Sequence, residues 1–465
     1  MTSAMSIVSS GSVDRFGVSW AGRSVAVIGL GKSGLAASTL LQQRGCRVRI
    51  SDRQRTEPLV ALTDQLLASG IEAVELGEHR RSFLEGCDLV VVSPGVPESS
   101  APIQFARELG LPIIGEVELA YRFCAAPVVA VTGTNGKSTA VTLIHRVLIA
   151  AGKSAVACGN LGIPCCDVLP SLAPDAIAVV EVSSFQLVSC EEFRPSIAVL
   201  LNLGTNHLDW HADGRSYVAA KARLFRRQTP QDYAVLNARN QEVVALASQI
   251  RAQRIWFGAS EGNLPAFSLS PATCAALAEN RQAVLQVARI LGIPDPLTHQ
   301  VIREFRGLEH RLEHVATIRG VRFINDSKST TPDSLLYALE RCPGSLIPII
   351  GGKDKGMDFR PLHDALEQER IRAVVLISET RQRLRAILNG SIRAQECPTL
   401  REALQAAMQV AEPGDAVLFS PACASFDMFR NFEERGQQFK RLVEQLERRW
   451  IAAGVSRAAV VCEAA

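Results

Sequence analysis

Lys137 and Ser138 stand near the end of the run Gly133-Thr134-Asn135-Gly136-Lys137-Ser138-Thr139, which follows the apolar stretch Val128-Val129-Ala130-Val131. The residues from Ser138 to Ala151 have helical length and no proline. A glycine-rich turn between a buried strand and a helix aims several backbone N–H groups, and the positive end of the helix, at one point. A phosphate suits that point, with Lys137 as a mobile cation and the Ser138 hydroxyl as a magnesium ligand. The common phosphate loop has a glycine where Val131 stands, so the match rests on the strand–turn–helix context. The reading is nucleoside triphosphate binding; the alternative is a plain turn with a surface lysine.

Other candidates lie at strand ends. Gly29, Gly31 and Gly34 form GxGxxG after the strand "SVAVI", and Asp52 closes the next strand, "CRVRISD". Taken alone this is a dinucleotide fingerprint, with the acid placed for a ribose hydroxyl, so a nicotinamide oxidoreductase is a rival reading. Glu181 ends "AIAVVEV" beside the phosphate turn, where phosphoryl-transfer sites place a magnesium ligand. His207 and Asp209, in "NLGTNHLDWH", follow another strand and are open to metal, substrate or structural roles. Lys221, in "SYVAAKARLF", reads as a helix lysine with its stem along the protein and its ammonium in water.

These residues need strands that end together. "SVAVI", "CRVRISD" and "CDLVVVSPG" predict a first parallel sheet. Strands at Val128–Val131, Ala155–Cys158, Ala176–Val182, Ile197–Leu201 and Tyr233–Leu236 predict a second. The pattern restarts near Leu308 with "VRFINDSKST", "LIPIIGGKDKGMDF", "RAVVLIS" and "DAVLFSPACASF". The expected architecture is α/β in three domains: residues 1–116 and 308–465 Rossmann-like, and 117–307 a central ATPase-type parallel sheet. At 465 residues, 47% apolar and 5% aromatic, the chain is too long for one core and too apolar for disorder. A net charge of +3 with scattered basic residues argues against a nucleic-acid surface and for a metabolite. Twelve cysteines without a CxxC pair indicate free thiols in a reducing compartment. No stretch reads as a secretory signal or a membrane span, so a cytoplasmic protein is expected.

The motifs "GLGKSG", "GTNGKST", "GNLG", "EVSSFQL", "NHLDWH", "YVAAK", "EHRLE", "NDSKST" and "SPACASFDMFRNFEERG" occur in that order over nearly the whole chain. In this the sequence resembles the Mur ligases, ATP-dependent enzymes that add an amino acid to a UDP-linked muramoyl precursor of peptidoglycan. The last motif is similar to that of the branch adding D-glutamate to UDP-N-acetylmuramoyl-L-alanine, and the DNPR run of the branch adding a diamino acid is missing. The folylpolyglutamate synthases share the ATPase part but lack so long a segment before it.

The resemblance implies roles. ATP would lie on Gly133, Thr134, Asn135, Gly136, Lys137, Ser138 and Thr139, with Asn280, Arg311, Asp326 and Lys328. Two magnesium ions would be held by Ser138, Glu181, His207 and Lys221, the last as a carbamate. Gly31, Lys32, Ser33, Asp52, Arg53, Ser93, Pro94 and Gly95 would bind the uridine nucleotide end, and Asn160, Gln186 and His207 the muramoyl-alanine part. D-Glutamate would meet Thr330, Lys355, Ser425 and Phe432. Catalysis would rest on Lys137, His207, Lys221, Arg311 and Lys328 in a monomer. The family's His and Asn before Asn280 are replaced here by Ala276 and Leu277, which leaves adenine recognition by side chains in question.

Overall fold

Short apolar runs bounded by glycine and serine become the central strands of three sheets. The computed structural model describes residues 12–160, 162–204, 213–258, 271–305, 307–354, 356–388, 390 and 392–452, with the backbone alone over 271–278. The first sheet holds β1 (Ser24–Ile28), β2 (Arg47–Asp52), β3 (Ala73–Leu76), β4 (Leu89–Val92) and β5 (Ile113–Gly115). Their order is β3-β2-β1-β4-β5, all parallel. The order reverses between β1 and β4, where open α/β sheets leave a crevice at the carboxyl ends of the strands.

The second sheet contains β6 (Val128–Thr132), β7 (Ala155–Gly159), β8 (Ile177–Glu181), β9 (Ile197–Leu200), β10 (Tyr233–Asn237) and β11 (Gln253–Phe257). Its order is β11-β10-β9-β6-β8-β7, again parallel throughout. Every residue of β6 and of β8 is buried, as helix-covered parallel strands require. The first two sheets share one hydrophobic core, running from Val25 and Ile50 to Ala130, Val180 and Leu236. The helix Glu116–Arg122 joins them, and its Glu118 carboxylate accepts the backbone N–H groups of Glu191, Glu192 and Phe193.

The third sheet forms a second compact unit. Its strands are β12 (Glu313–Ile318), β13 (Val321–Asn325), β14 (Leu346–Ile350), β15 (Val374–Ile377), β16 (Ala394–Cys397) and β17 (Ala416–Phe419), in the order β12-β13-β17-β14-β15-β16. One edge departs from parallel pairing: β12 runs antiparallel to β13 across the short turn at Arg319 and Gly320. The ten cysteines whose side chains are described are free thiols, and all but Cys46 are buried.

Candidate active site

The phosphate turn is built on two glycines for different reasons. Gly136 has φ +84° and caps the helix Lys137–Ala150, and a Cβ there would lie 2.5 Å from the Asn280 side chain. At Gly133 a Cβ would press on Leu201 at 3.0 Å and on the Asn202 backbone nitrogen at 3.3 Å. No side chain caps the helix, so its first N–H groups face the turn without a competing acceptor from Gly136. Asn280 donates to the Gly136 carbonyl at 3.4 Å; the asparagine expected near adenine buttresses the phosphate turn. Asn135 N–H is held by Asn202 Oδ1 at 2.8 Å, and the Thr134 hydroxyl meets Tyr217 at 2.9 Å.

Two lysines converge on this turn. Lys137 Nζ donates to the carbonyls of Gly133 and Thr134, each at 2.9 Å. Lys221, on the helix Gly214–Ala222, does not end in water as its sequence context suggests. It is 1% exposed, and its Nζ donates to Thr132 Oγ1 at 3.2 Å and to the Gly133 carbonyl at 3.0 Å. The apolar turn before it buries the whole side chain, including the ammonium, over the Tyr217 ring. Burial pushes its pKa well below the ordinary lysine range, the Lys137 charge pushes the same way, and Glu181 opposes both.

Glu181 supplies the acid at the end of β8. It is buried, with Oε1 accepting from Asn160 Nδ2 at 3.1 Å, while Oε2 is buried without a hydrogen-bond partner. A carboxylate oxygen left bare within charge range of Lys221, at the end of the strand that pairs with the one leading into the phosphate-type turn, has the donor chemistry of a magnesium ligand, so these residues fit the metal. Ser138 is buried at the start of the same helix. Gln186 lies in the capping box of the helix Ser184–Val188, its Oε1 accepting the Ser183 N–H at 2.9 Å.

In the first sheet, the Asp52 carboxylate receives the N–H of Leu30 at 2.6 Å and of Gln54 at 2.7 Å, tying the ends of β1 and β2. Ser93 Oγ donates to the Gly29 carbonyl at 2.8 Å and tethers the Ser93-Pro94-Gly95 loop to the glycine turn. A Cβ at Gly34 would lie 1.8 Å from that same carbonyl, which explains the third glycine of the fingerprint. Gly31, Lys32 and Arg53 are exposed at this edge and Ser33 is half-buried.

The second unit gathers its own predicted residues. Asp326 is buried at the end of β13, accepting from Leu312 N–H at 3.1 Å and from the hydroxyls of Ser329 and Ser420 at 2.5 and 2.9 Å. Burial raises its carboxyl to about 6, with these donors and Arg311 pulling back. Lys328 lies 5.6 Å from the centre of the Phe432 ring. Ser425 is buried in the loop after β17, where Lys353 N–H donates to the Ala424 carbonyl at 2.8 Å. Thr330 is half-buried directly before a capped helix. His207 and Lys355 lie outside the described residues.

Two residues that carry this framework were not predicted. Arg435 is 1% exposed and ties Ser327 Oγ, the Ser327 carbonyl and the Cys423 carbonyl together at 3.0, 2.8 and 2.9 Å. Burial lowers its pKa to about 10. His310 is buried with φ +61° and shares a 2.9 Å hydrogen bond with Asn325. A Cβ at Gly436 would reach 2.2 Å from its ring, so the helix Phe432–Ala452 packs directly on it.

This geometry can be set beside known proteins. Residues 23–115 match the Mur ligase MurD-like N-terminal domain. Residues 131–279 match the Mur ligase middle domain, and residues 310–423 the Mur ligase glutamate ligase domain. The UDP-N-acetylmuramoylalanine–D-glutamate ligase of Acidobacterium capsulatum is 41% identical over 445 residues, covering 91% of this chain and 96% of that protein. The chain belongs to the Mur ligase family. The enzyme of the same name from Geobacillus kaustophilus is 38% identical, over 91% of this chain and 98% of its own. Among solved structures, the UDP-N-acetylmuramate-alanine ligase of Thermotoga maritima matches with a TM-score of 0.56 at 18% identity, covering 91% of this chain and 99% of that one. MurF of Acinetobacter baumannii matches with a TM-score of 0.55 at 18% identity, covering 90% and 93%. These structures share this Mur ligase's fold. ATP and magnesium are the family's shared requirements, and no helix among the described residues is long and apolar enough to cross a membrane.

Proposed function

We propose that this Mur ligase joins D-glutamate to UDP-N-acetylmuramoyl-L-alanine at the expense of ATP. The observation that carries the reading is the buried, half-unbonded Glu181 carboxylate set at a glycine turn held by Lys137 and Lys221. The names of the relatives supply the substrates. The alanyl carboxylate attacks the γ-phosphate of ATP, forming an acyl phosphate and releasing ADP. The D-glutamate amine then adds to the acyl carbon, loses a proton, and expels phosphate as the amide forms.

The chain's residues divide this work. The N–H groups of the turn and Lys137 hold the transferring phosphoryl oxygens, which is where charge gathers in the transition state. Lys137 has to leave the Gly133 and Thr134 carbonyls to do so. Ser138, Glu181 and His207 are assigned to magnesium, which when bound neutralises the crowded phosphate oxygens. Lys221 is assigned as a carbamate: its neutral amine attacks carbon dioxide, forms an N–C bond and loses one proton. Burial supports that role by keeping the amine neutral. Asp52, Arg53, Ser93, Pro94, Gly95 and the Gly31–Ser33 turn are assigned to the uridine nucleotide, and Asn160 and Gln186 to the muramoyl-alanine part. Arg311, Asp326 and Lys328 are assigned to ATP. Thr330, Lys355, Ser425 and Phe432 are assigned to D-glutamate, in a protein acting as a monomer in the cytoplasm.

The test is phosphate release with ATP, UDP-N-acetylmuramoyl-L-alanine and each amino acid in turn. With both carboxylates of glutamate pinned, inverting the α-carbon points the amine away from the acyl phosphate. D-Glutamate should therefore exceed L-glutamate by at least ~100-fold, about 2.7 kcal/mol in the barrier. Equal use of the two enantiomers, or preference for L-alanine or a diamino acid, would assign the chain to another branch.

A further inference from the structure

Ser51 and Glu75 face each other in register across β2 and β3, so their side chains share one face of the first sheet. Both are buried. Ser51 Oγ lies 3.2 Å from Glu75 Oε2, 3.5 Å from the Glu78 carbonyl and 2.7 Å from His79 Nδ1. Glu75 is an acceptor on both oxygens, because Arg80 N–H donates to Oε2 at 3.0 Å and Arg80 Nε to Oε1 at 2.5 Å.

A hydroxyl has one proton to give. The Glu75 carboxylate and the Glu78 carbonyl can only accept, so the Ser51 proton goes toward them. Ser51 Oγ must then accept from His79, which places the ring proton on Nδ1 and leaves Nε2 with a bare lone pair. Burial lowers the His79 pKa and favours this neutral ring, against the pull of Asp52 and Glu75. Nε2 makes no hydrogen bond among the described residues, and the ring is only half-buried. The loop that carries it is laced to the end of β2, since Gly77 N–H donates to the Asp52 carbonyl at 2.9 Å. His79 also lies within charge range of Asp52 and Arg53.

We propose that His79 is a specificity-determining residue for the nucleotide end of the substrate, its Nε2 accepting one hydrogen bond from the uridine. The inference rests on assigning that end to the first sheet. A bare imidazole nitrogen repels a phosphate oxygen, lone pair against lone pair, and selects a donor. Uridine offers two kinds, the N3–H of the base and the ribose hydroxyls.

Nitrogen-15 NMR of the whole protein reads the tautomer directly, and should show an unprotonated Nε2 in wild type and a mixture of tautomers in Ser51→Ala. Calorimetric titration with UDP should show His79→Phe weakened about 3- to 10-fold, the worth of one neutral hydrogen bond. His79→Gln, whose amide oxygen reaches the same place, should recover part of that loss. In turnover, KM for the muramoyl nucleotide should rise by the same factor with kcat unchanged. N3-Methyl, 2′-deoxy and 3′-deoxy UDP locate the donor: the analogue lacking it binds wild type more weakly and His79→Phe equally. A proton on Nε2, or a His79→Phe protein that binds UDP as tightly as wild type, would overturn the inference. A wild-type protein that does not bind UDP would instead remove the first-sheet assignment, and His79's role with it.

Discussion

Replacing Lys221 by methionine should make the protein better folded and inactive. The amine is 1% exposed, and its hydrogen bonds go to a threonine hydroxyl and a backbone carbonyl, neither of which carries charge. Burial and the Lys137 charge depress its pKa in the folded protein. In the unfolded chain a lysine holds its proton up to about pH 10.4. Between the folded value and that limit, the unfolded state binds one proton more than the native state. Wild-type stability therefore rises with pH through the window, by about 1.4 kcal/mol per pH unit for this one group. Methionine keeps the unbranched apolar stem and has no proton to lose, so the variant lacks this slope. Urea unfolding of the ligand-free protein, in buffer stripped of carbon dioxide at about pH 7, 8 and 9, measures the difference. The variant's advantage should shrink as pH rises, by up to about 1.4 kcal/mol per unit above the folded pKa. Phosphate release should be abolished at every pH. Parallel stability profiles would refute the neutral-amine argument, and normal turnover would remove Lys221 from the chemistry.

Lys137→Ala should lower kcat by orders of magnitude with the fold retained, and Lys137→Arg should not restore it, because a planar guanidinium does not fit where a compact ammonium sits on two carbonyls; a steady-state assay decides. Glu181→Gln removes the charge from a carboxylate with one unbonded oxygen. Its half-saturating magnesium concentration should rise at least ~10-fold, equivalent to about 1.4 kcal/mol of lost coordination, while its thermal unfolding stays at or above wild type. For Asp326 the sign of the pH effect reverses from that of Lys221. Its folded pKa of about 6 is raised, so its contribution is present in full below the unfolded value and is lost as pH rises through about 6. Asp326→Asn should abolish that dependence, and melts of both proteins at about pH 4 and pH 7 would show the curves converging at the lower pH.

The pattern of what the sequence made legible follows burial. Every central strand was anticipated: β1 and β4 in the first sheet, β6, β8, β9 and β10 in the second and β13, β14, β15 and β17 in the third by their apolar residues, and β2, with its alternating arginines, by the acid that ends it. The strands that were not anticipated are β3, β5, β11, β12 and β16, and each lies at a sheet edge. Gln253–Phe257 is mostly exposed, Ala394–Cys397 is exposed at its two central residues, and both carry polar residues, so neither period nor composition marks them. The edge strand β7 was anticipated, because its residues Ala155–Cys158 still read as an apolar run; the other edge strands are specified by the neighbour they pair with rather than by their own composition.

The same limit governs the site. Residues such as Lys137, in a glycine turn opening a helix, and Glu181, at a strand end, could be singled out because their type and position carry a message locally. Lys221 and Arg435 were misread or passed over because each is a cation on a helix, and a cation on a helix is ordinarily solvated. What distinguishes them is what covers them. Tyr217 lies one turn before Lys221 on the same helix, but Thr132, which accepts from its amine, ends a strand that only the fold brings to it. Ser327 and Cys423, which receive Arg435, come from the ends of two neighbouring strands of the third sheet. A buried charge is held by the tertiary structure that surrounds it, so its signal does not exist in any window of sequence. The lysine that the fold forces toward neutrality and the arginine that ties the third sheet's loops therefore became visible only once those elements were assembled.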